Sequence, residues 1–100
     1  MMSATIVRYR VKPGRAEENA ELVRAVYAEL EHDGAPGFRY ATFVMDDGVS
    51  FVHVALAEEG HDVPLSGLAA FARFRAGLAE RCEELPQTIS APSLVGSFGL

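Results

Sequence analysis

Two apolar runs, residues 38–45 and 49–57, stand on either side of Asp46-Asp47-Gly48. An Asp-Gly pair between β-rich runs signals a hairpin, because glycine takes the positive φ that a tight turn demands. The turn is either a two-residue loop on Asp47-Gly48 or a three-residue loop with Gly48 in a bulge. The choice shifts the cross-strand pairing by one residue, so the sequence leaves open which faces align. The stronger constraint is that both runs are apolar on both faces. In the first, Phe38, Tyr40 and Val44 alternate with Ala41, Phe43 and Met45. In the second, Phe51, His53 and Ala55 alternate with Val52, Val54 and Leu56. Such a hairpin needs cover in front and behind. At roughly 25 cal/mol per Å², leaving several of these side chains in water forfeits several kcal/mol.

The rest of the chain supplies cover for one side only. Residues 4–11 are rich in β-branched and aromatic types and read as a strand, with Thr5, Val7, Tyr9 and Val11 on one face and Ile6, Arg8 and Arg10 on the other. Pro13-Gly14 ends it. Residues 15–32 carry Leu22, Val23, Val26, Tyr27 and Leu30 at helical spacing, with Glu17 and Glu18 suited to the positive end of the helix dipole. Gly34 offers a left-handed cap and Pro36 blocks continuation. After a polar connection, Ser66 is the expected N-cap of a second helix running to about Leu85, with Leu68, Phe71, Phe74, Leu78, Cys82 and Leu85 on its stripe and Pro86 as terminator. A short last strand is expected over residues 94–98. The order β-α-β-β-α-β predicts an α+β, ferredoxin-like domain, an antiparallel four-stranded sheet with both helices on one face. One hundred residues suffice for one such domain, 1–100, and not for two. Two helices leave one sheet face bare, and an apolar face of that size marks an interface. The simplest cover is a second copy, packed sheet to sheet as a homodimer.

Charge and composition exclude several function classes. The net charge is −5, and the nine cations, eight of them Arg, are scattered, so no basic stripe exists to track a phosphate backbone. Nucleic acid and anionic membrane are not expected partners. No apolar run approaches the roughly 18 residues that span a bilayer, and the N-terminus lacks the apolar core of a signal peptide. Cytoplasmic location is the default expectation. The single cysteine, Cys82, rules out an internal disulfide and a Cys-rich metal site. The histidines lack metal-ligand spacing, and there is no Gly-rich phosphate loop. No cofactor or metal is expected.

The stretches Thr5-Ile6-Val7-Arg8-Tyr9, Phe38-Arg39-Tyr40-Ala41-Thr42-Phe43, Asp46-Asp47-Gly48-Val49-Ser50-Phe51-Val52-His53-Val54 and Leu94-Val95-Gly96-Ser97-Phe98 resemble small actinobacterial members of the antibiotic biosynthesis monooxygenase group of dimeric α/β-barrel proteins. The resemblance covers nearly the whole chain and is carried by fold-level signatures. It implies cofactor-free oxidation of anthrone-like aromatics; haem degradation, quinol oxidation and muconolactone-type isomerisation are also known on this architecture. Several of those oxygenases use an Asn and a Trp in the pocket. This chain has no Trp, and its only Asn is Asn19 on the first helix, so those site patterns are not carried over.

His53 is the most informative residue. It stands mid-strand among apolar neighbours, where a polar group is costly without a partner. It reads either as a proton-transfer group working near neutral pH or as a core histidine held by a carbonyl or tyrosine. Tyr9 and Tyr40, also on strands, are the candidates to join it in catalysis and to position an aromatic ring. Arg8, Arg10 and Arg39 are candidates to bind a substrate anion or to stabilise an enolate or phenolate; their other reading is edge charge or an intersubunit salt bridge. Phe51 and Phe71 are candidate apolar substrate contacts. Arg73 and Arg75 read as the solvated flank of the second helix. The expected function is that of a cofactor-independent monooxygenase-like enzyme of small-molecule (secondary) metabolism, acting on an apolar aromatic or polyketide-like substrate. The alternatives are a non-catalytic ligand-binding or stress-related accessory dimer, and an isomerase or cyclase on the same scaffold. An open cavity with converging polar tips at His53 favours catalysis, and a closed dry core favours the accessory role.

Overall fold

A computed structural model describes residues 2–90 and 92–100. Strand β1 (Ser3–Val11) leads through Pro13-Gly14 into helix α1 (Ala16–Asp33), followed by β2 (Phe38–Val44) and β3 (Ser50–Ala57). A 3₁₀ turn (Leu65–Gly67) precedes α2 (Ala69–Ala76), the short α3 (Leu78–Arg81) and β4 (Cys82–Ser90). The four strands form one antiparallel sheet in the order β2-β3-β1-β4, the ferredoxin-like arrangement of two split βαβ units.

The hairpin resolves the open register. Gly48 N–H donates to Met45 O at 2.9 Å, which centres the turn on Asp46-Asp47, and Gly48 follows with φ 76°. The Asp47 carboxylate accepts from Val49 N at 2.9 Å and Ser50 N at 2.8 Å, fixing the exit. Met45 N donates to Ser50 O at 2.8 Å, so residues 46–49 form a loop longer than either expected one. The register, with Tyr40 opposite Ala55 and Thr42 opposite His53, is the one the two-residue turn would give. Pairing of β1 with β3 sets Val7 opposite His53 and Tyr9 opposite Phe51. Tyr9, Phe51 and His53 are all buried beneath the helices. The core continues through Val11, Val23, Val26, Phe74 and Leu78.

The second half differs from the sequence reading. The spacing of Leu78, Cys82 and Leu85 imitates a helical stripe, but α2 ends at Gly77 and α3 ends at Arg81. Residues 82–90 are extended, so the last strand lies earlier than residues 94–98, and Leu85 is 62% exposed instead of buried. Pro86 is tolerated in β4 because β4 is an edge strand. The β1–β4 ladder slips between Arg8 and Val11, beside Pro86. Leu94, Val95 and Phe98 project into solvent. Ser66 is not the N-cap of α2 either; it lies in the 3₁₀ turn, and the N-cap is Leu68, with no capping side chain of its own. Glu29 of α1 takes that role, accepting from Ala70 N at 2.8 Å and Ala69 N at 3.3 Å. A carboxylate at a helix N-terminus suits the dipole and ties the two helices together.

Both helices cover the same sheet face. The opposite face carries Phe43, Met45 and Ile89, each at least half exposed, beside the partly exposed Ile6, Val54 and Leu56. None of the helices among the described residues is long and apolar enough to cross a membrane.

Candidate active site

Beneath the helices runs a line of polar side chains, buried from Arg81 to His53 and partly buried at Tyr40, Thr42 and Tyr27. It begins at Arg81, only 2% exposed at the end of α3, whose guanidinium makes no salt bridge to a carboxylate among the described residues. Arg81 Nε donates to Asn19 Oδ1 at 3.1 Å, and Arg81 Nη2 donates to the Phe74 carbonyl at 2.7 Å. Asn19, fully buried in the first turns of α1, donates from Nδ2 to the Tyr9 hydroxyl oxygen at 2.8 Å. That hydroxyl lies 2.8 Å from His53 Nε2. On its other side, His53 Nδ1 lies 2.8 Å from the Tyr40 hydroxyl and 3.0 Å from Thr42 Oγ1. Thr42 in turn meets the Tyr27 hydroxyl at 2.8 Å. Buried polar groups survive only when bonded, and this line bonds each to the next.

The direction of the donors follows from satisfying every member. Tyr9 oxygen already accepts from Asn19, so its own proton has His53 Nε2 as its acceptor. A neutral imidazole has one donor nitrogen and one acceptor, and Nδ1 therefore carries the hydrogen and donates toward Tyr40 and Thr42. The reverse tautomer strands the Tyr9 proton without an acceptor among the described residues. Burial holds the His53 pKa down at about 4, so the ring is neutral near pH 7. Burial also pushes the Tyr9 and Tyr40 hydroxyls above the ordinary phenol value, and the Asn19 hydrogen bond works against this at Tyr9.

His53, Tyr9 and Tyr40 line a cavity of about 450 Å³ between sheet and helices. Val7 and Ala55 extend its sheet wall, Phe71, Phe74 and Leu78 form its helical wall, and Pro86 and Thr88 close the β4 side. His53 stacks with Tyr9, ring centroids 5.3 Å apart, so the catalytic candidates form one rigid aromatic group. The other expected site residues divide. Phe71 lines the cavity, whereas Phe51 lies behind it, stacked on Tyr9 at 5.6 Å and 8°. Arg8, Arg10 and Arg39 do not reach the cavity. Strand alternation puts them on the opposite face from Tyr9 and Tyr40, where Arg10 Nε meets Glu84 at 3.4 Å and Arg39 Nη2 meets Glu58 at 3.8 Å. The arginine that does line the cavity is Arg75, read from the sequence as solvated flank.

Asn19 and Arg81 also escaped the sequence reading, although the signal was present. Asn19 precedes Val23 and Val26 at helical spacing, and Arg81 follows Phe74 and Leu78 likewise, so each is a polar residue on an apolar stripe. Cys82 is buried, and burial raises its thiol pKa, which disfavours the thiolate. Among the described residues no group of His, Cys, Asp and Glu gathers to hold a metal ion.

Neither a family model nor a curated protein matches the sequence. Solved structures do match. A candidate antibiotic biosynthesis monooxygenase from Nitrosomonas europaea superposes with a TM-score of 0.76 at 21% identity, covering 97% of this chain and 94% of that one. SnoaB, a cofactor-independent oxygenase from Streptomyces nogalater, gives 0.64 at 16% identity, covering 96% and 98%. The fold is that of the antibiotic biosynthesis monooxygenase-like proteins. Rv0793 from Mycobacterium tuberculosis shares this monooxygenase-like fold, with a TM-score of 0.69 at 17% identity over 96% of this chain and all of the other. At these identities the likeness is one of fold, and the monooxygenase-like scaffold hosts the His53 cavity between its sheet and helices.

Proposed function

We propose that the chain is a cofactor-independent, monooxygenase-like enzyme of small-molecule (secondary) metabolism, acting in the cytoplasm as a homodimer on an apolar aromatic or polyketide-like substrate. One observation carries the reading: a neutral histidine and two tyrosine hydroxyls converge on an open, largely apolar cavity. The fold it shares with SnoaB supports it. The chemistry suited to such a site begins with removal of a proton from a ring methylene activated by a neighbouring carbonyl. The substrate proton passes to Tyr9 oxygen as the Tyr9 proton passes to His53 Nε2, a relay across one 2.8 Å hydrogen bond. The Tyr40 hydroxyl holds the developing enolate oxygen. The carbanion then reduces O₂; the methylene becomes a carbonyl, one oxygen atom enters it and the other leaves as water. Four electrons leave the methylene and four reduce O₂, so no external reductant is needed.

The homodimer rests on the bare sheet face, where Phe43, Met45 and Ile89 stand in solvent. Two copies packed on that face give both sheets the cover that the helices do not supply. The saturation of both His53 nitrogens favours a second reading, a dimer that binds a ligand in the same cavity without turning it over. Oxygen consumption with anthrone-type substrates separates the two. The wild type consumes O₂ and forms the ring carbonyl, and His53→Ala remains a folded dimer that does neither. Equal rates in wild type and variant remove His53 from the mechanism, and no consumption by either leaves the ligand-binding reading.

A further inference from the structure

The cavity and the chain carry opposite electrostatic character. The protein has a net charge of −5, yet the cavity lining contains no Asp or Glu and one formal charge, that of Arg75. The adjoining cleft, formed by Ser66, Phe71, Ala72, Arg75 and Ala76, has no acidic residue either. Arg75 therefore stands at the junction of the two spaces. Its guanidinium lies over the Phe71 ring, 6.0 Å from the centroid, and has no carboxylate partner among the described residues. This sets it apart from Arg10, Arg15, Arg24 and Arg39, each of which meets a glutamate. Behind the wall, the buried guanidinium of Arg81 adds a second cation, with no carboxylate at salt-bridge distance among the described residues though its charge reaches Glu18, and it is coupled to Tyr9 through Asn19.

We infer that the cavity takes an aromatic acid: the rings lie against Phe71, Phe74 and the Tyr9–His53 group, and a carboxylate at the rim pairs with Arg75, with the Ser66 hydroxyl beside it. This deepens the small-molecule reading given above and rests on it. The planar fork of Arg matches a carboxylate at two points, and stacking on Phe71 holds the fork in place before the ligand arrives. The pair sits at the rim, partly wet, so its effect is modest and salt-dependent.

Isothermal titration with a matched pair of probes, 2-naphthoate and neutral 2-naphthamide, tests it. The wild type should bind the acid roughly five-fold more tightly than the amide at low ionic strength, in line with a partly exposed charge pair. The preference should shrink as salt is added. Arg75→Gln should remove the preference while binding the amide as the wild type does. Arg73→Gln, a charge loss of the same size on the same helix but outside the cavity lining, should keep it. Equal affinity for both probes in the wild type, or an undiminished preference in Arg75→Gln, overturns the assignment and leaves the cavity reading standing. Failure of both probes to bind at millimolar concentration overturns the cavity reading, and this assignment with it.

Discussion

The two faces of the sheet handle polarity in opposite ways. The face beneath the helices, where an ordinary core is apolar, buries a charged guanidinium, an amide, an imidazole and two phenols in one hydrogen-bonded line. The face without helices, where solvent favours polar groups, carries phenylalanine, methionine and branched aliphatics among its arginines. Stability alone would arrange neither face this way. Polar groups inside are retained where their chemistry is used, and apolar groups outside where another surface meets them.

The contrast is open to direct attack. The largest effect is expected from Asn19→Leu. By hydrophobic pattern this change completes the α1 stripe and should stabilise the helix. In the structure it leaves Arg81 Nε buried without its acceptor and removes the donor to Tyr9, and a loss of about 3 kcal/mol in urea unfolding is expected. A gain in stability would show that the line is dispensable to the fold. Next comes pH. His53 titrates at about 4 when folded and near 6.5 when unfolded, so between these values the unfolded chain binds the extra proton. Its contribution is complete above about pH 6.5 and is lost as pH falls toward 4. The wild type should lose on the order of 2–3 kcal/mol across that window relative to His53→Gln. Parallel curves for the two proteins would remove the buried, neutral imidazole from the account. The smallest effect on the subunit itself is expected from Phe43→Lys on the bare face, under about 0.5 kcal/mol by surface norms. Sedimentation should nonetheless move from dimer to single subunit, and an unchanged sedimentation coefficient would sever that face from assembly.

Much of this contrast is legible in the sequence, unevenly along the chain. β1, α1, β2 and β3 are marked by local signals, alternation followed by Pro13-Gly14, Gly34 or Gly48, and they lie within one or two residues of their expected bounds. β4 is not, because Leu78, Cys82 and Leu85 satisfy a helical period by coincidence and Pro86 suggests an end instead of an edge strand. His53, Tyr9 and Tyr40 stand out as polar residues in apolar strands, but their convergence depends on a register set by one turn hydrogen bond. The place of Arg8, Arg10 and Arg39 outside the cavity follows from strand alternation: once Tyr9 and Tyr40 point inward, residues one step away point outward. Asn19 and Arg81 stand out as polar residues on apolar stripes, but what they bond, and the place of Arg75, required three dimensions. Their partners lie on other elements or, for Arg75, across an empty space, and nothing local to the sequence marks such pairings.

The proline in the outermost strand has a consequence for growth. Pro86 has no N–H to offer, and it interrupts the row of donors that a foreign strand would need to zip onto that margin. Glu83 near it adds like charge against a second copy approaching the same way. Extension of the sheet into a continuous ribbon is hindered on that side.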